Sequence, residues 1–135
     1  MRRPHLSVSV MLGLLSVSLP ASARTLFVKA DAPGPVQDGT SWATAHQTVA
    51  AGLGVAAAGD ELWVAAGTYR ERITLKDRVS LYGGFAGTET VREQRFPAAH
   101  ETIIDAGIGS VVTAPAGVTI ATVLDGFTIR NGAGV

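Results

Sequence analysis

The chain contains no cysteine among its 135 residues. Disulfide bridges and cysteine-ligated metal centres are therefore excluded, although small exported domains often depend on them. The stability of the folded chain must come from apolar burial and backbone hydrogen bonding. This favours an architecture with extensive strand pairing over a small disulfide-rich scaffold.

The chain also lacks a net charge, because 11 basic side chains balance 11 acidic ones. No basic stripe is present that would collect phosphate groups, so nucleic acid is excluded as an expected partner. Without residues 1–23 the chain loses two arginines and becomes slightly acidic.

No apolar run is long enough to span a bilayer, which takes about 18 residues or more. The run over residues 6–19 follows Arg2 and Arg3 and precedes the small residues Ala21, Ser22 and Ala23. This order is typical of a secretory signal peptide over residues 1–23. We expect an exported protein, extracellular or at the cell surface, with the periplasm as the alternative location. No transmembrane segment is expected in the mature chain.

Short apolar runs that end in glycine recur through residues 60–135. With Leu62, Leu81, Ile103 and Phe127 as landmarks, the steps are 19, 22 and 24 residues. Such steps are close to one turn of a solenoid built from three short strands. The sequence therefore predicts an all-β right-handed parallel β-helix, or β-solenoid, truncated after about three to four coils and continuing beyond this sequence.

Alternation of side chains predicts which face of each strand is buried. Leu62 and Val64 alternate with Glu61 and Trp63, so the aliphatic pair is expected to point inward and Trp63 outward.

Residues 24–59 are predicted to form an N-terminal strand, a linker and an amphipathic capping helix. Thr40 or Ser41 is the expected N-cap, and Gly59 stands where a helix commonly ends. The helix would cover the apolar cross-section of the first coil. Its apolar face consists of Trp42, which is the expected anchor, and of Ala45, Val49, Leu53 and Ala56.

Residues 86–100 are polar, mixed in charge and not periodic. They predict a solvated loop between coils. Loops of this kind often carry binding surfaces.

Four segments resemble a known family. They are residues 38–45 (DGTSWATA), 58–69 (AGDELWVAAGTY), 81–90 (LYGGFAGTET) and 124–132 (LDGFTIRNG). The first three resemble the opening of exported bacterial right-handed parallel β-helix proteins of the pectin-lyase-like superfamily, and the fourth resembles an internal coil of that family. The resemblance covers residues 25–135. It implies a long solenoid with an N-terminal cap, found both in lyases or hydrolases of acidic polysaccharides and in non-enzymatic surface proteins.

Asp105 and Asp125 are the candidate functional carboxylates, because they lie about one coil apart and would stack on neighbouring rungs. Such a pair could bind calcium or act as acid and base on a sugar, since glycoside hydrolysis uses two carboxylates roughly 5–9.5 Å apart. Arg130 would then neutralise a uronate or serve as a base. The alternative, in which both aspartates cap turns, is favoured. No residue is assigned as catalytic.

The other polar candidates favour structural roles. Asn131 is the one asparagine in the chain and is expected at a corner of the solenoid, and Gly132-Ala133 after it excludes a glycosylation acceptor. His46 is expected on the capping helix and His100 at the end of the loop. Without a third histidine after residue 23, a histidine metal site is not expected.

Two functions remain open from the sequence. The favoured one is a non-catalytic secreted or surface-exposed repeat protein that presents a binding face to a polysaccharide or a cell-surface component, monomeric when full length. The alternative is a polysaccharide lyase or glycoside hydrolase whose active site lies in coils absent from this sequence. No cofactor is evident, and calcium is expected only if the lyase alternative holds.

Overall fold

The computed structural model describes residues 23–132. The predicted signal peptide lies outside this range except for Ala23. One α-helix, α1, spans Val49–Val55. The strands are β1 Thr25–Val28, β2 Glu61–Ala65, β3 Gly67–Tyr69, β4 Ile73–Thr74, β5 Ser80–Phe85, β6 Thr102–Asp105, β7 Val112–Thr113, β8 Leu124–Asp125 and β9 Phe127–Arg130.

Within the described residues, the strands form three separate sheets in which every pairing is parallel. The first sheet has the order β1-β2-β5-β8, the second β3-β6-β9 and the third β4-β7. The predicted fold class is therefore wrong. The strands of residues 23–132 divide among separate sheets of four, three and two strands, and a single right-handed β-helix is not shown.

The spacing of the glycine-ended runs failed as a guide because the runs belong to different sheets. Leu62 pairs with Leu81 in the first sheet, whereas Ile103 pairs with Thr128 in the second. Between β8 and β9, Gly126 adopts a φ of +81°, and the chain passes there from the first sheet to the second. The four landmarks are thus not equivalent positions of one repeat.

The core draws side chains from all three sheets and from α1. Leu62 and Val64 are fully buried in it, as their alternation predicts. Each large aliphatic side chain in the core contributes about 1.5–3 kcal/mol. The cluster consists of Leu26, Val28, Val49, Leu53, Ala56, Leu62, Val64, Tyr69, Ile73, Val79, Leu81, Ile104 and Val111.

The helix is shorter than predicted and begins at a different cap. Thr48 is the N-cap, and its side chain accepts a hydrogen bond from the Ala51 N–H at 3.1 Å. The carboxylate of Glu71 accepts from the N–H groups of Val49 and Ala50 at 2.9 and 2.8 Å. These acceptors satisfy the first-turn donors and fix the start of the helix there. Within residues 23–132 no helix is long and apolar enough to cross a bilayer.

The segment before the helix is paired with β1 instead of being helical. His46 forms a parallel bridge with Val28 and bonds through its N–H to the Phe27 carbonyl at 2.9 Å. The Phe27 N–H donates in turn to the Gly39 carbonyl at 2.9 Å. Backbone pairing closes the outer edge of β1 in this way. The prediction that His46 and Trp42 lie on the helix is therefore wrong.

A second apolar cluster covers the outer face of the first sheet, opposite the core. Trp63 stacks on Phe85 with centroids 4.9 Å apart and meets Phe27 edge-on at 5.6 Å. Trp42 contacts Phe27 at 4.7 Å and is half-buried. Trp63 does point away from the core, but it is only 7% exposed. We name Phe27, Trp42, Trp63 and Phe85 the outer aromatic cluster.

Candidate functional site

Tyr82 lies on β5, next to the outer aromatic cluster, and two arginines cover its ring. The guanidinium carbon of Arg92 lies 4.5 Å from the ring centroid, and that of Arg95 lies 5.1 Å from it. Both distances are within the range of cation–π attraction. We name these three residues the arginine–tyrosine site.

Carboxylates on the strands hold both guanidinium groups. Arg92 Nη1 donates to Glu61 Oε1 at 2.6 Å, and Arg95 donates to the Asp125 carboxylate. Arg95 also donates to the Gly83 carbonyl at 3.2 Å. Exposed ion pairs add at most about 1 kcal/mol of stability, so we expect these pairs mainly to orient the arginines.

The loop that carries the arginines is folded around a buried carboxylate. Glu89 is 8% exposed and accepts hydrogen bonds from the N–H groups of Ala86, Gly87 and Thr88 at 2.6–2.9 Å. Burial alone would raise the pKa of Glu89, but these N–H donors outweigh burial. The net pKa therefore lies below the usual 4.5.

Two further contacts hold the loop against the segment before α1 and against the first sheet. The Trp42 indole donates to the Glu89 carbonyl at 2.9 Å, and the Phe96 N–H donates to the Gly84 carbonyl at 2.8 Å. Gly84 has a φ of +92°, and a Cβ there would lie 2.5 Å from Pro97 Cγ. Only glycine allows this close approach without displacement of the loop. The predicted loop is exposed along most of its length, as expected, but these contacts anchor it, and it includes a 3₁₀ turn, Arg92–Gln94.

The arginine–tyrosine site borders a concave surface of about 360 Å³, lined by Arg92, Glu93, Arg95 and Pro97. Phe96, beside it in the chain, is 60% exposed. Guanidinium donors and a carboxylate acceptor are therefore grouped on one surface, and Phe96 is exposed next to it in the sequence. This combination suits the binding of a polar ligand with hydroxyl or carboxylate groups.

The lowered pKa values of Glu89 and Asp60 predict how the stability of the fold changes with pH. Because the pKa of Glu89 is lower in the folded than in the unfolded protein, the unfolded state binds more protons as pH falls. The stabilisation from Glu89 is thus complete above the unfolded pKa and is lost as pH falls through the folded value. Asp60 acts in the same direction. Burial opposes its charged form, but hydrogen bonds from Ala57 and Arg24 prevail and lower its pKa.

We therefore expect the thermal midpoint to be steady near neutral pH and to fall below the usual carboxyl pKa. The measurement is a series of thermal melts from neutral to acid pH. Glu89→Gln cannot titrate at this position and should show a shallower fall. An identical acid profile for the wild type and this variant would contradict the assignment.

The two candidate aspartates of the sequence are not brought together. Asp105 lies on β6 in the second sheet, whereas Asp125 lies on β8 in the first. Their predicted stacking on neighbouring rungs is therefore wrong, because similar local sequences occupy different sheets. Asp105 caps a turn by accepting from the Gly107 N–H at 3.2 Å, and Asp125 instead holds Arg95.

The remaining candidates do not form one site, although Asn131 contacts Asp105 and Arg130 pairs with Asp105 across β6 and β9. Arg130 lies 3.5 Å from Glu101, and Asn131 donates to Asp105. His46 is buried beside β1, whereas His100 is the last residue of the loop. Among residues 23–132, no group of three or more histidine, aspartate or glutamate side chains is placed to hold a metal ion.

No protein-family model, curated protein or solved structure matches this chain. The resemblance to the pectin-lyase-like superfamily therefore stays a prediction. The geometry of the arginine–tyrosine site is the firmest basis for a functional proposal.

Proposed function

We propose that this is an exported, non-catalytic protein that binds carbohydrate through the arginine–tyrosine site. The observation that carries the proposal is the fixed position of Arg92 and Arg95 over Tyr82, at the border of a concave surface. Export is proposed from the residue order of positions 1–23.

The chemistry of the site favours a sugar that carries carboxylate groups. A guanidinium has five N–H donors, and the contacts with Glu61, Gly83 and Asp125 occupy only some of them. The remaining donors can bind a carboxylate in the planar geometry that arginine favours. Glu93 in the concavity and Asp125 beside Arg95 offer acceptors for sugar hydroxyl groups.

Because the loop is already ordered, ligand binding should cost little conformational entropy. Immobilising a flexible side chain costs about 0.5–1.5 kcal/mol on association. Here the ion pairs and the Tyr82 ring already hold both guanidinium groups, and the Glu89 contacts hold the loop. The ligand would meet an ordered surface.

The hydrolase or lyase alternative has no specific observation in its favour. The sequence placed the active site of that alternative outside residues 1–135, and the one carboxylate pair considered within them, Asp105 and Asp125, lies in different sheets. We therefore do not extend the proposal to catalysis or to a calcium site.

The proposal predicts that Arg92→Ala and Arg95→Ala each weaken binding by about tenfold or more, since a hydrogen bond to a charged group contributes about 1.5–3 kcal/mol. The measurement is calorimetric titration with polygalacturonate and alginate oligosaccharides. Dextran oligosaccharides, which are neutral, should bind more weakly than either probe.

Arg130→Ala is the matched control. Arg130 is also exposed and paired with a carboxylate, but it lies on the second sheet. Its loss should leave the affinity unchanged. If neither acidic probe binds, or if the Arg92 and Arg95 variants bind as tightly as the wild type, the proposal is wrong.

A further inference from the structure

Asn131 and Gly132 lie just beyond β9, in a position that is open to solvent. Both residues are exposed, and they line a concavity of about 370 Å³ together with Gly107 and Ile108. Asn131 has a φ of +54°, a left-handed conformation that asparagine tolerates better than most residues. Water therefore has direct access to this peptide bond.

The nitrogen that would attack belongs to Gly132, an exposed residue. Glycine carries no side chain to shield the preceding amide, and it lets the backbone rotate more freely than any other residue. No backbone carbonyl within residues 23–132 accepts a hydrogen bond from the Gly132 N–H. This nitrogen can approach the Asn131 side chain once that side chain is free to turn.

Asp105 now restrains the Asn131 side chain. Asn131 Nδ2 donates to both carboxylate oxygens of Asp105, each at 3.0 Å. The same carboxylate accepts from the Gly107 N–H at 3.2 Å, which fixes its own orientation. The amide is thus held by a charged acceptor across the β6–β9 pair.

We propose that Asn131-Gly132 is a site of spontaneous deamidation and that Asp105 is the positioning residue that slows the reaction. The Gly132 nitrogen loses its proton and attacks Asn131 Cγ, so that a new C–N bond closes a five-membered succinimide. The Cγ–Nδ2 bond breaks, and Nδ2 leaves as ammonia with the added proton. Water then opens the ring at either carbonyl and gives aspartate or isoaspartate at position 131.

The hydrogen bonds explain why Asp105 would slow this reaction. Attack on Cγ requires the side-chain amide to rotate toward the Gly132 nitrogen, and the rotation breaks the contacts of Nδ2 with Asp105. Hydrogen bonds to a charged acceptor are among the stronger ones in proteins. We therefore expect that succinimide formation requires the hydrogen bonds between Asn131 and Asp105 to break first.

The test is prolonged incubation of the folded protein at mildly alkaline pH, followed by peptide mass spectrometry and an isoaspartate assay. We expect the wild type to gain the mass of one amide-to-acid conversion at Asn131. Asp105→Ala should accelerate the conversion by about tenfold, the factor expected when one hydrogen bond to a charged group is lost. Gly132→Ala should slow it.

Asp77→Ala is the control for general loosening, because Asp77 is another carboxylate that accepts hydrogen bonds from a neighbouring segment, at Thr119. It should leave the rate unchanged. A synthetic peptide of residues 127–135 gives the unrestrained rate and sets the upper limit if Asp105→Ala is partly unfolded. The proposal is overturned if Asn131 stays unmodified in the wild type and in Asp105→Ala, or if the two convert at the same rate.

Discussion

Replacement of Trp63 by alanine is expected to lower the free energy of unfolding by about 3–5 kcal/mol, the usual range for loss of a buried tryptophan. Trp63 stacks on Phe85, meets Phe27 and is 7% exposed. Its removal leaves a cavity between the first sheet and the segments that cover it. Chemical denaturation followed by circular dichroism measures the loss.

Trp42→Ala provides the comparison within the same outer aromatic cluster. Trp42 is half-buried, so its loss is expected to cost less, about 1–3 kcal/mol. It contacts Phe27 and donates one hydrogen bond to the Glu89 carbonyl. A larger loss for Trp42→Ala than for Trp63→Ala would contradict the arrangement of this cluster.

Glu89→Ala is expected to cost about 2–3 kcal/mol and to abolish most carbohydrate binding. The variant removes the charged acceptor of the Ala86, Gly87 and Thr88 N–H groups, and hydrogen bonds to charged groups contribute about 1.5–3 kcal/mol. The loop then loses its internal support, and the arginines that it carries lose their fixed position. Thermal melts and calorimetric titration with polygalacturonate oligosaccharides measure the two effects.

Glu93→Ala is the matched control on the same loop, because Glu93 is exposed. Its effect on stability should stay within about 0.5 kcal/mol. The account of the loop fails if Glu89→Ala is as stable as Glu93→Ala and binds as tightly as the wild type.

The faces of the strands could be predicted from the sequence, but their partners could not. Alternation places Leu62 and Val64 in the core because successive side chains of a strand point to opposite faces. Pairing depends on contacts between distant segments, and the runs that contain Leu81 and Ile103 look alike although they join different sheets. Regular spacing therefore suggested one continuous helix of coils, which the strand pairing of residues 23–132 does not show.

The first residue of the helix could not be predicted from the local sequence either. Trp42 and Ala45 fit a helical period with Val49, but backbone pairing of His46 with β1 outweighs this preference. Helix propensity is a weak term that tertiary contacts often override. The helix begins after Thr48, and Glu71, which lies in another part of the chain, accepts a hydrogen bond from its first turn. A local sequence pattern does not reveal this second acceptor.

The arginine–tyrosine site could be found only in part from the sequence. The non-periodic loop indicated a binding surface, and Arg92 and Arg95 are its only arginines. Their meeting with Tyr82 and with Glu61 depends on how the loop folds back over the first sheet. Glu89, which holds that loop, has no local pattern that distinguishes it from Glu93.

The central claim is that carbohydrate binds at the arginine–tyrosine site. Its most direct test is NMR of the isotope-labelled protein during addition of polygalacturonate oligosaccharides. We expect chemical-shift changes at Tyr82 and at the guanidinium groups of Arg92 and Arg95, with none at Arg130. Shifts confined to the second sheet, or no shifts at saturating oligosaccharide, would contradict the claim.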